Sequence, residues 1–99
     1  MIAKPRMVGD IVIGIVSTRT GFSKDDITGS SHSKNVTQAR HLVVGALRLL
    51  GMSYPECGAV TNRHHTSSMN SWDQVVKDVG LYKQAEEVAE VARNQIFLG

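Results

Sequence analysis

The apolar residues between positions 39 and 50 recur at intervals of three and four, and this spacing constrains the fold more than any other feature. They are Ala39, Leu42, Val43, Ala46, Leu47 and Leu50. Such a stripe predicts one amphipathic helix that buries a single face. Asn35 and Gly51 stand where an N-terminal and a C-terminal cap belong. Arg40, His41 and Arg48 lie off the stripe. Other elements of the chain must cover the apolar face, because its exposure to water is unfavourable.

The segments before this helix also favour helical structure. Val8 to Thr18 is rich in β-branched residues, but no second run of this kind exists to pair with it. Because a lone strand is not stable, we expect a helix there. Ser23 with Asp26 resembles a capping box that opens a short helix through Ile27, closed by Gly29.

Two further helices are predicted after Gly51. Ser53 with Glu56 forms a second capping box, with Pro55 early in a short helix that ends near Val60. Asn62 is predicted to cap the next helix. The apolar residues of that helix recur at +3, +4 and +3 and predict its buried face: Met69, Trp72, Val76 and Val79.

Gly80 is expected to end or kink that helix, and a last helix follows from about Leu81 to Leu98. Its apolar stripe consists of Leu81, Ala85, Val88, Ala92 and Ile96. The pattern predicts an all-α, compact helical domain of five to six helices. The short helix, the Asn62 turn and the following helix have the proportions of a helix-turn-helix. We assign residues 1–80 to that domain and residues 81–99 to an amphipathic helix that packs on it.

Composition excludes several classes of protein. The chain has 99 residues, 41% of them hydrophobic, which suits a single globular core. It contains no nucleotide-binding P-loop pattern and no apolar run long enough to span a membrane. Cys57 is the single cysteine, so no internal disulfide can form and a reducing, cytoplasmic location is expected. We find no paired carboxylates or triad that would indicate an enzyme, and expect no metal and no cofactor.

Charge is distributed unevenly along the chain. Residues 1–63 carry eight basic and four acidic side chains, whereas residues 64–99 carry three basic and five acidic ones. The excess of basic residues in the N-terminal segment suits a polyanionic partner on one face of the protein.

Three passages resemble the C-terminal DNA-binding domain of the bacterial chromosomal replication initiator DnaA. Residues 26–31, DITGSS, are similar to the family's DLLGKSR, and residues 34–42, KNVTQARHL, are similar to RxVxxxRQ. The third passage has two parts at matching spacing. SYPECG at residues 53–58 is similar to SLPEIG, and NRHHTS at residues 62–67 is similar to GRDHTTV. The resemblance extends from about Val8 to Asp78.

The resemblance implies that the helix-turn-helix binds double-stranded DNA and that the protein is associated with the nucleoid. Its role would be in replication initiation, the regulation of replication, or transcriptional control. Five residues at the turn and the start of the recognition helix would enter the major groove: Arg63, His64, His65, Thr66 and Ser67. The loop of residues 30–34, with His32 and Lys34, would approach the minor groove and the backbone. Thr37 and Arg40 would hold phosphate.

Three departures from the family pattern have physical consequences. His64 replaces an acidic residue, and a neutral histidine donates to purine N7 where a carboxylate accepts from cytosine N4. We therefore expect a preference other than the initiator's usual box. Gln38 replaces an arginine, which predicts weaker and more salt-sensitive binding. Ser68 replaces an apolar residue, so the packing beneath the recognition helix should differ.

Other interpretations of the same residues remain open. His64 and His65 could bind a metal with Cys57 or His32, but adjacent helical side chains point about 100° apart and seldom share one ion. Cys57 is expected to be a buried structural thiol. The fold could instead serve as a protein–protein interaction module whose DNA binding is weakened or lost. Its protein partner would then bind to the last helix. It could also direct a transposase-like partner to DNA, and its oligomeric state is open.

Overall fold

A computed structural model describes residues 5–98 of the chain, and within that range it contains six helices and no strand. In chain order they are α1 (Pro5–Thr20), α2 (Lys24–Thr28), α3 (Lys34–Leu49), α4 (Tyr54–Thr61), α5 (His65–Lys77) and α6 (Val79–Leu98). The all-α class and the number of helices predicted from the sequence are confirmed. None of the described helices is long and apolar enough to cross a membrane.

Helix α3 is the centre of the fold, because it contacts each of the other five helices. Its predicted stripe is buried from Ala39 to Leu47, and Leu50 is partly buried against the same core. The core around it is almost entirely aliphatic. Its largest fully buried aliphatic members outside α3 are Val12, Val16, Ile27, Val75 and Val88.

Both capping boxes form as predicted. The Ser23 and Ser53 hydroxyls each accept a backbone N–H three residues on, from Asp26 and Glu56, and the carboxylates of those residues reach back to the cap. Helix α3 begins two residues earlier than the sequence pattern suggested. Its cap is Ser33, not Asn35, because the Ser33 hydroxyl accepts from the Val36 N–H while residue 35 already lies in the first turn.

The turn between α4 and α5 differs from the prediction. Asn62 does not cap α5; it ends α4 in the left-handed conformation, with φ of 58°. Asparagine adopts this conformation more readily than most residues. Gly58 allows the turn to close, since a Cβ there would lie 2.5 Å from the Arg63 carbonyl oxygen. The cap of α5 is His64.

The predicted buried face of α5 is wrong. Met69 and Val76 are each 48% exposed and Val79 is 86% exposed, while the helix buries Ser68, Ser71 and Val75. Trp72 is only partly buried.

Helix α5 is thus rotated about its axis relative to the prediction, and the physical reason lies in its packing against α3. A Cβ on Gly45 of α3 would lie 3.0 Å from both a Val75 methyl and the Ala85 Cβ. This glycine therefore lets α5 and α6 approach α3 closely. Ser68 and Ser71 are buried on the same side of α5 as Val75. The Ser68 hydroxyl is buried without a hydrogen-bond partner among the described residues.

Helix α6 begins at Val79, two residues before the predicted start, and its predicted stripe faces the core. Ala85, Val88 and Ala92 are fully buried, and Leu81 and Ile96 are partly buried against them. The helix packs on α1, α3 and α5. Cys57 of α4 is also fully buried, as expected for a structural thiol.

Candidate nucleic-acid interface

The N-terminal end of α5 is exposed and built around two histidines. His64 Nδ1 accepts the Thr66 backbone N–H at 3.3 Å and lies 2.9 Å from the Thr66 hydroxyl. In the neutral ring an accepting Nδ1 leaves the proton on Nε2. The His65 ring lies beside it at a tilt of 38°, with ring centroids 4.2 Å apart. The first turn therefore presents a ring N–H donor, a second imidazole and the exposed side chains of Thr66 and Ser67.

Arg63 joins this end of α5 to the loop between α2 and α3. Its Nη2 donates to the Gly29 carbonyl oxygen, and the side chain is half-buried. Its Nε is buried without a partner among the described residues. This hydrogen bond ties the start of the predicted major-groove segment to the residue just before the predicted loop of residues 30–34.

Arg40 lies beneath the same loop. Its Nε donates to the Ile27 carbonyl at 2.8 Å, and its Nη2 donates to the Gly29 and Ser31 carbonyls at 3.4 and 3.2 Å. The side chain is 5% exposed, and burial, followed by the nearby Arg63 charge, lowers the pKa of Arg40. The guanidinium therefore holds the loop in place through three backbone carbonyls.

Two adjoining grooves separate the loop and the start of α3 from α5. The inner groove has a volume of about 320 Å³ and the outer one about 490 Å³. Both are lined by His32, Thr37 and His41. The inner groove adds Arg40, Arg63, Thr66, Ser67, Asn70 and Ser71 and contains no carboxylate; the outer one adds Lys34, Gln38, Gln74, Lys77, Asp78 and Leu81.

The nine residues predicted to contact DNA occupy one region of the surface. Six line the inner groove: His32, Thr37, Arg40, Arg63, Thr66 and Ser67. Lys34 lines the outer groove, and His64 and His65 stand exposed at the adjacent end of α5. The fold therefore brings the loop, the start of α3 and the start of α5 to one site.

Sequence reasoning missed three residues of the inner groove. Asn70 and Ser71 follow Ser67 at the three- and four-residue spacing of one helix face, and His41 follows Thr37 by four. That spacing was the available signal.

His41 and Ser71 connect α3 to α5 directly. His41 Nδ1 lies 2.8 Å from the Ser71 hydroxyl oxygen. Burial, with a smaller contribution from the Arg40 charge, lowers the pKa of His41. The ring is thus held neutral under conditions where an exposed histidine begins to protonate.

Metal ligands do not assemble in this region. Within residues 5–98 no cluster of three or more histidine, cysteine, aspartate or glutamate side chains could hold an ion. Cys57, one of the suggested ligands, is enclosed in the core.

Comparison with known proteins identifies the family of this helical domain. The family model described as the bacterial dnaA protein helix-turn-helix matches residues 10–75, which include α2 to α4 and most of α1 and α5. No curated protein matches the chain. The matched region contains the α4–α5 turn, the loop of residues 29–33 and both guanidinium groups of the inner groove. The chain belongs to the bacterial DnaA helix-turn-helix family, a family of DNA-binding domains.

Proposed function

We propose that this protein binds double-stranded DNA in a sequence-specific manner, without catalysis, by placing the N-terminal end of α5 in the major groove. The observation that carries the proposal is the inner groove, where two guanidinium groups meet at the Gly29 carbonyl beside an exposed helix N-terminus. No carboxylate lines this groove. Positive charge without a carboxylate partner and the positive end of a helix dipole are complementary to phosphate.

The remaining residues of the interface fall into two roles. Lys34, Thr37 and Arg63 line the grooves and suit contacts with the sugar–phosphate backbone, which position a protein without reading sequence. His65 and Thr66 are placed to contact base edges and a thymine methyl group.

His64 and Arg40 have roles that follow from their hydrogen bonds. The His64 Nε2–H is free to donate to purine N7, because Nδ1 serves as the helix cap. This donor replaces the carboxylate typical of the family and favours a different base. Arg40 acts as a positioning residue that shapes the loop carrying His32, since its donors are directed to backbone carbonyls.

The test is fluorescence anisotropy against a pool of random duplexes at low and moderate salt, followed by sequencing of the bound fraction. Neutralising two or three phosphates gives a slope of about −2 to −3 for log K against log salt. We expect a slope in that range and enrichment of a motif. Absence of binding at low salt contradicts the proposal; salt-dependent binding without a motif removes its sequence-specific part.

The biological setting that we propose is the regulation of replication or transcription in the nucleoid, or DNA targeting for a partner such as a transposase. A second function, binding of a protein partner, is favoured by exposed apolar side chains on α5 and α6: Met69, Val76, Val79 and Phe97. A protein-only module would show no salt-dependent affinity for duplex DNA, so the same experiment separates the two functions.

A further inference from the structure

His41 occupies the point where the inner and outer grooves meet. The side chain lines both and is half-buried between α3 and α5. Its hydrogen bond to the Ser71 hydroxyl uses Nδ1, so Nε2 remains available to a ligand. A ligand that fills either groove therefore contacts or closely approaches this ring.

The charged surroundings of His41 are mostly positive. The ionisable side chains that line the two grooves are His32 and Lys34 from the loop and the start of α3, Arg40 from α3, Arg63 from the α4–α5 turn, Lys77 from α5, and Asp78 before α6. Asp78 is the single acid that lines the grooves, and its Oδ1 accepts the Leu81 N–H. Lys77 is paired with Asp73 at 2.7 Å, so the positive charge near the ring comes mainly from Lys34, Arg40 and Arg63. In the absence of a ligand, burial and, to a smaller extent, the Arg40 charge lower the pKa of His41 and so favour the neutral imidazole.

We propose that His41 is a further DNA-binding residue, and that it takes up one proton from solvent when a DNA phosphate enters the groove. The inference rests on the proposed function. A phosphate brings negative charge beside the ring and opposes the effect of the neighbouring cations. The protonated ring donates from Nδ1 to the Ser71 hydroxyl and from Nε2 to a phosphate oxygen, so the existing hydrogen bond is kept.

Thermodynamic linkage gives the direction of the effect. A group that is more protonated in the complex than in the free protein makes binding tighter as pH falls. One proton limits the effect to about a tenfold change in Kd per pH unit. The change is confined to the interval between the lowered pKa of the free protein and the higher pKa of the complex. Below that interval the ring is protonated in both states and its contribution to the pH dependence ends.

The experiment is titration calorimetry of the full chain with its selected duplex at pH 6.5, in two buffers of different ionisation enthalpy. The difference in heat reports the protons taken up on binding. We expect net uptake by the native protein and a clear decrease in His41→Gln, whose side chain can still hydrogen-bond Ser71 but does not titrate. His65→Gln is the matched control, because it removes an exposed imidazole outside the two grooves; it should bind more weakly but keep the uptake assigned to His41.

Nuclear magnetic resonance of the native protein gives an independent measurement if His41→Gln does not fold. The His41 Cε1–H resonance should titrate at a higher pH with DNA than without it. Equal uptake by the native protein and His41→Gln, or an unchanged His41 titration, overturns the inference while leaving DNA binding intact. Failure of the native protein to bind DNA at any pH overturns both proposals.

Discussion

At the scale of single residues, the two arginines of the interface act differently although both reach the Gly29 carbonyl. Arg40 is enclosed and bonded to three carbonyls, whereas Arg63 is half-buried at the edge of the groove. The sequence resemblance suggested phosphate contact for Arg40 and a place in the major groove for Arg63. The structure buries Arg40 against the loop carbonyls and leaves Arg63 more accessible at the groove edge, so we propose Arg63, and not Arg40, as the DNA contact.

Alanine variants of Arg63 and His65 should separate positioning from reading. Arg63→Ala removes a charge near the backbone, so affinity should fall for all sequences alike and the salt slope should decrease by about one. His65→Ala should lower affinity for the selected site by about 1–3 kcal/mol and flatten base preference, with the salt slope kept. Anisotropy titrations of selected and scrambled duplexes measure both. A uniform loss for His65→Ala would contradict its assignment to a base edge.

The Cys57 thiol should be unreactive in the folded protein. Burial raises the pKa of Cys57 to about 11, so the thiolate is scarce at pH 8, and the side chain has no access to solvent. A colourimetric disulfide reagent should react slowly with native protein and rapidly in denaturant. Fast reaction of the folded protein would show that α4 opens and exposes the core.

At the scale of elements, the α4–α5 turn depends on a close approach that only glycine permits. Gly58→Ala places a Cβ 2.5 Å from the Arg63 carbonyl oxygen, so the turn must shift. We expect a loss of stability of about 1–3 kcal/mol, as for other overpacked sites. Duplex affinity should also fall, since Arg63 and the His64 cap move with the turn.

Gly14→Ala is the matched control for that substitution. Gly14 lies in α1, exposed, with nothing within 4 Å of an added Cβ, so alanine should stabilise the helix by about 0.5–1 kcal/mol. Urea unfolding of both variants measures the difference. If both glycines respond alike, the turn is not constrained in the way that the geometry indicates.

At the scale of the whole molecule, pH should affect folding and DNA binding in opposite directions through one residue. The lowered pKa of His41 means that protonation favours the unfolded state. Its contribution to stability is present above the unfolded value of about 6.5 and is lost as pH falls through the folded value. Urea midpoints at several pH values should decline less on acidification in His41→Gln than in the native protein. Parallel declines would exclude His41 as the source.

The sequence by itself determined the helical class, both capping boxes and the buried faces of α3 and α6, because these depend on interactions between residues a few positions apart. Resemblance to the DnaA family supplied the candidate DNA-contacting residues that the fold then brought together. Tertiary structure alone decided the rotation of α5, the left-handed Asn62, the burial of Arg40 and the pairing of His41 with Ser71. The apolar spacing of α5 favoured the face of Met69 and Val76, but close approach at Gly45 selected the face with small side chains instead. Local periodicity cannot report that choice, since it depends on the shape of the neighbouring helices.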